Sequence, residues 1–141
     1  MENVNFLDAV DDARTLAEVQ GITREMGDAI AALAEAELEA GRADTARAIL
    51  EGLVVTNHLD AAAWALLSRA HRRLRQPLAA RFCAEVALKL APHDPAVRLV
   101  RAESLLATVI ERDAGRAELS RLASDEQVGP RARALLAALP E

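Results

Sequence analysis

The sequence predicts an all-α protein, a helical solenoid of about three helix-turn-helix repeats with an N-terminal helix and a C-terminal capping helix. Three observations carry this. Hydrophobic residues make up 52% of the 141 residues while aromatics make up only 2%, so the apolar content is Ala, Leu and Val. Ala and Leu are the strongest helix formers, whereas a sandwich or barrel draws on β-branched and aromatic residues. The chain also resembles itself at an offset of 34 residues, and Gly and Pro recur between its apolar runs at Gly41, Pro77 and Pro92.

Taken in order, Phe6, Leu7, Val10, Leu16 and Val19 follow a loose helical spacing over Val4–Gln20. Gly21 closes that helix and Thr23 caps the next. Residues 1–21 are thus read as an N-terminal helix that packs on the convex side or pairs with a second copy as a dimer contact. Residues 22–127 hold the repeats, about 27–60, 61–94 and 95–127. In register, Ile30 meets Trp64, Leu33 meets Leu67, Ala34 meets Ser68, Ala46 meets Ala80, Leu53 meets Ala87 and Asp60 meets Asp94. This is the tetratricopeptide period.

Each repeat is two antiparallel helices. The first places a large, a medium and a small residue in turn (Trp64, Leu67, Ser68), and the second places small residues where the helices cross (Ala80, Ala87). Gly41 turns the chain where a left-handed residue is cheap. Pro77 suits the start of a helix, and Pro92 closes a repeat. Arg75 stands where such repeats usually have Gly, which predicts a less regular turn. The third unit is degenerate. Its first helix is expected over Pro95–Ile110 and its second over Asp113–Ala123, with Asp113 as N-cap. Arg98 occupies a large apolar position, and the spacing to Ala117 is off by a few residues. Residues 128–141 form the capping helix, with Pro130 at its first position.

Net charge is −5, with 17 Lys+Arg against 22 Asp+Glu, and Lys89 is the only lysine. That balance argues against nucleic-acid binding. The single cysteine, Cys83, excludes an internal disulfide and sits in an apolar run with Phe82 and Val86, as a buried, inert thiol would. No apolar stretch approaches the roughly 18 residues that span a bilayer. The acidic N-terminus lacks a signal-peptide pattern, so a cytoplasmic protein without membrane insertion is expected.

No catalytic constellation emerges. His58 and His93 fall in turns between repeats, and His71 lies on a first helix beside Arg72 and Arg73. There is no HExxH and no Cys/His cluster, so no metal is expected. The six glycines are scattered rather than gathered in a phosphate loop. None of Ser68, Ser104, Ser120 and Ser124 lies in a Gly-x-Ser-x-Gly turn. Neither an enzyme nor a cofactor is expected.

The first helices of such a stack line its concave wall, with inward positions at spacings of three and four. In the first repeat these are Asp28, Ala31, Glu35 and Leu38. In the second they are Ala62, Ala65, Arg69, Arg72 and Arg73, and in the third Ala96, Leu99, Glu103 and Leu106. Small apolar residues leave room for an incoming side chain. Arg69, Arg72 and Glu103 can bond the main chain or termini of an extended peptide.

Three segments resemble the class II chaperones of type III secretion systems. They are ITREMGDAIAALAEAELEAGRADTARAILEGL, NHLDAAAWALLSRAHRR (similar to the family's DHYDARFFLGLGACRQ) and RLVRAESLL (similar to FHAAECLL). Together they cover roughly Leu16 to Ala123 in the same order. The resemblance implies a cytoplasmic chaperone with three full-length repeats and an N-terminal helix used for dimer contacts. It also implies a concave groove that takes an extended, proline-flanked segment of a hydrophobic translocator protein. By position, the groove residues would be Ala31, Glu35, Leu38, Ala65, Arg69, Leu99 and Glu103. The spacing adds Arg72 and Leu106. The family usually lines this groove with Tyr and Phe, and Ala31, Glu35 and Leu38 depart from that. A different client motif, a needle-subunit chaperone, or a general protein-interaction scaffold stay open as alternatives.

Overall fold

A computed structural model describes residues 15–140. Over them the chain forms eight helices and no strand. These are α1 (Leu16–Gln20), α2 (Arg24–Glu39), α3 (Ala43–Thr56), α4 (Ala61–Arg73), α5 (Pro77–Leu90), α6 (Pro95–Leu105), α7 (Arg112–Leu122) and α8 (Gly129–Ala138). The pairs α2–α3, α4–α5 and α6–α7 stack in order, α1 lies against α3, and α8 closes the end against α7. This is a tetratricopeptide-type solenoid.

Local chemistry repeats with the period. Asp60 and Asp94 cap α4 and α6, accepting from the Ala63 and Ala96 amides at 3.0 and 2.9 Å. Thr23 does the same for α2 through the Met26 amide, at 3.2 Å. Side-chain caps of this kind contribute about 1 kcal/mol each. Gly41, at φ 86°, donates to the Leu38 carbonyl, and Arg42 donates to Glu37. The second repeat makes the same two bonds from Arg75 to Arg72 and from Gln76 to His71, with Arg75 at φ 59°. The expected irregular turn is therefore regular. Arg75 adopts the left-handed conformation that Gly41 adopts, at a cost of about 1–2 kcal/mol for a residue with a Cβ.

The core runs along the stack as three linked clusters rather than one centre, as in other repeat proteins. Ala34, Leu38, Leu50, Leu53 and Leu67 join α2, α3 and α4. Ala65, Ala84, Ala87, Val97 and Val100 join α4, α5 and α6. Leu99, Leu119, Leu122 and Ala132 join α6, α7 and α8. Small residues set the crossing distances. Ser68 is buried and donates to the Ala80 carbonyl at 2.7 Å, tying α4 to α5.

Several sequence expectations are corrected. The helix expected over Val4–Gln20 falls partly on residues outside the described ones. Within them, Thr15 has extended backbone (φ −82°, ψ 155°) and caps a helix that starts only at Leu16. The first helix of the third unit ends at Leu105, not Ile110, and α7 begins at Arg112 after Glu111, with Asp113 inside its first turn rather than at the cap. Ala117 is exposed. Gly115 takes the crossing position instead, against Ala102, Leu105 and Leu106. Relative to Ala80, that is a slip of one residue in the period. Arg98 fills the large apolar position because it pairs with the buried Glu118 across α6 and α7, at 2.7 Å.

Candidate functional site

The first helices bring a cavity of about 560 Å³ together. From α2 it is lined by Glu35, Leu38 and Glu39, from α4 by Leu66, Arg69, Arg72 and Arg73, and from α6 by Leu99 and Glu103. Gln127, Val128 and Arg131, before and within α8, complete it.

The nine sequence-predicted residues form three rows one period apart on α2, α4 and α6. The row Glu35, Arg69, Glu103 lines the cavity throughout. The row Leu38, Arg72, Leu106 contributes its first two members. Leu106 instead packs into the α6–α8 cluster beside Gly115. The row Ala31, Ala65, Leu99 contributes only Leu99. Ala31 packs on the α2–α4 core, and Ala65 is buried against Ala84, Ala87, Val97 and Val100. Asp28 and Ala62 line a separate cavity of about 750 Å³ between α1, α2, α3 and the start of α4.

The expected open apolar floor is also corrected. Leu38 and Leu99 are each only 3% exposed, so both are base rather than contact surface. Neighbouring helices cover them because a repeat's inner face is shared with the next repeat. The accessible apolar part is the half-buried Leu66. Leu66 lies three residues before Arg69, so helical spacing alone could have found it. Arg131 and Val128 lie beyond the last repeat and carry no periodic signal.

Charge dominates the walls. Glu103 is 2% exposed, and Arg72 donates to its Oε2. Arg69 Nη2 and Arg131 Nε approach Oε1 at 3.7 and 4.0 Å, beyond hydrogen-bond reach. Oε1 accepts no hydrogen bond from the described residues. Arg73 reaches back from α4 and donates to the Leu38 carbonyl at the C-terminus of α2, beside the bond that carbonyl accepts from the Gly41 amide.

Among the described residues, no group of three or more His, Cys, Asp or Glu side chains could hold a metal, and no helix is long and apolar enough to cross a membrane. Cys83 lies in the core, away from the cavity. Burial pushes its thiol up to about 11, with the nearby Glu51 charge adding to the shift, so it stays a thiol at neutral pH.

A family model described as tetratricopeptide repeat matches residues 7–70. No curated protein sequence matches the chain. Solved structures do. A T3SS complex from Aeromonas hydrophila is similar at 21% identity and TM-score 0.77, covering 93% of this chain and 91% of that one. The Yersinia enterocolitica type III secretion translocator chaperone SycD is similar at 19% identity and TM-score 0.74, covering 89% and 98%. SycD in complex with a peptide of the translocator YopD is similar at 19% and TM-score 0.66, covering 83% and 94%. The first half of the chain matches the tetratricopeptide-repeat model, and the whole chain has the fold of these solved type III secretion chaperone structures.

Proposed function

We propose that this protein is a cytoplasmic chaperone that holds an extended segment of a type III secretion client, of the translocator kind, in the cavity between its first helices. The observation that carries this is the cavity itself: three successive first helices and α8 contribute to one recess whose walls are rich in donors. The solved complex of SycD with a YopD peptide supports the reading, because a similar fold there accompanies a translocator peptide. The mechanism differs from simple burial of client side chains on a leucine floor. Leu66 offers the apolar contact, and Arg69 and Arg72, held by the buried Glu103, offer bonds to an extended main chain. No residue in the recess forms a nucleophile–base pair, which favours holding over catalysis.

Affinity capture of the intact protein from its native host tests this. An exported, membrane-active partner is the expected recovery, and Leu66→Glu should weaken its capture at least about tenfold while leaving the helical signal intact. Undiminished capture by that variant would move the contact off the cavity. Recovery of a partner that is never exported would favour the general scaffold.

A further inference from the structure

The arginine cluster around Glu103 is more than a peptide-binding surface needs for packing, and its balance of donors and acceptors is uneven. Three guanidiniums, those of Arg69, Arg72 and Arg131, converge on one buried carboxylate. Each guanidinium carries five N–H donors, and the carboxylate offers about four lone-pair sites. Only Arg72 hydrogen-bonds it. Among the described residues, the Arg69 and Arg131 side chains have no other ion-pair partner and donate no hydrogen bond, while Glu103 Oε1 is buried and unbonded. The immediate cluster carries an excess of two positive charges inside a partly enclosed recess. Glu35 and Glu39 stand across it on α2 and form no ion pair with these arginines. The cavity is therefore polarised, acidic on the α2 wall and basic on the α4 and α8 walls.

We infer that the segment held here carries an acidic side chain, an Asp or Glu, that bridges Arg69 and Arg131. An added carboxylate cancels much of the uncompensated charge. It accepts the forked donors that Glu103 is too distant to accept, and charge-assisted bonds of this kind are the strong ones. A basic anchor would meet three arginines before it met Glu103. The α2 carboxylates set the direction, repelling the anchor toward α4 and α8. This inference rests on the peptide-holding function proposed above and specifies the chemistry of what is held.

The test is selection of a displayed library of random twelve-residue peptides on the full chain, followed by fluorescence anisotropy of the winners. The expected result is a fixed Asp or Glu in the selected peptides. Its replacement by Asn or Gln should weaken binding to the native protein at least about tenfold. That difference should vanish on an Arg69→Gln/Arg131→Gln variant of unchanged circular dichroism, or on Arg131→Gln alone if the pair unfolds, since the Arg131 side chain is 61% exposed. Winners without an acidic residue, or acidic winners that bind the variant undiminished, would overturn the anchor while leaving peptide holding in place. A library that yields no winner at all would overturn peptide holding and the anchor with it.

Discussion

At Gly115 two effects of similar size oppose each other. A Cβ there would sit 2.9 Å from Leu106 Cδ2, 3.0 Å from Leu105 Cβ and 3.1 Å from the Ala102 carbonyl oxygen. The Leu106 tip can swing away, but the other two atoms are set by the backbone of α6. Inside a helix, Gly→Ala ordinarily gains up to about 1 kcal/mol. Overpacking of this kind costs about 1–3 kcal/mol. Gly115→Ala should therefore lower stability, by about 1 kcal/mol, read as a lower urea midpoint at constant m. A raised midpoint would mean that α6 and α7 can separate cheaply. Gly115 was invisible to the period because a one-residue slip moved the crossing position. By contrast Thr23 and Gly41 were legible, because a cap or a left-handed turn depends on a residue and its immediate neighbours.

Between elements, charge takes over where apolar contact thins. Glu85 on α5 accepts from Arg101 on α6 and from Arg81, each at 2.9 Å, and Arg81 also pairs with Glu111 before α7. Burial alone would raise the Glu85 carboxyl, but the hydrogen bonds and charges of Arg101 and Arg81 outweigh it and hold the group below the ordinary carboxylate value of 4.5. A carboxylate whose folded value is depressed adds stability that is fully present above the ordinary value. That contribution disappears as pH falls through the depressed one. Urea titrations at falling pH should thus show the native protein losing more stability below about pH 4.5 than Glu85→Gln does. Parallel losses in the two proteins would mean that the network adds nothing to folding. The Arg98–Glu118 pair between α6 and α7 belongs to the same scale. Arg98 looked like a break in the repeat because its partner is 20 residues away, and sequence spacing does not report such pairings.

For the whole molecule, an open stack leaves an end face. Met26, Ile30 and Leu33 on α2 and Leu16 and Val19 on α1 are exposed, although Leu33 holds the period position of the buried Leu67. Among the described residues no repeat stacks on this side of α2, so Leu33 stays uncovered whatever its sequence equivalence. We propose that this N-terminal face pairs two copies. Light scattering at micromolar concentration should give twice the chain mass of 15.1 kDa, and Leu33→Glu should return it to a monomer. A native protein that stays monomeric at high concentration would reject the pairing.

Helix content, repeat length, the Thr23 cap, the Gly41 turn and the row Glu35–Arg69–Glu103 could be read directly from the sequence, because each follows from local propensity or from a fixed helical period. The tertiary structure alone decided which inner-face residues stay reachable. Adjacent repeats share their inner faces, so Leu38, Ala65 and Leu99 became core. It also brought Arg131 from beyond the last repeat to Glu103, since burial and long-range charge pairing depend on how the helices stack and not on the order of residues along any one of them.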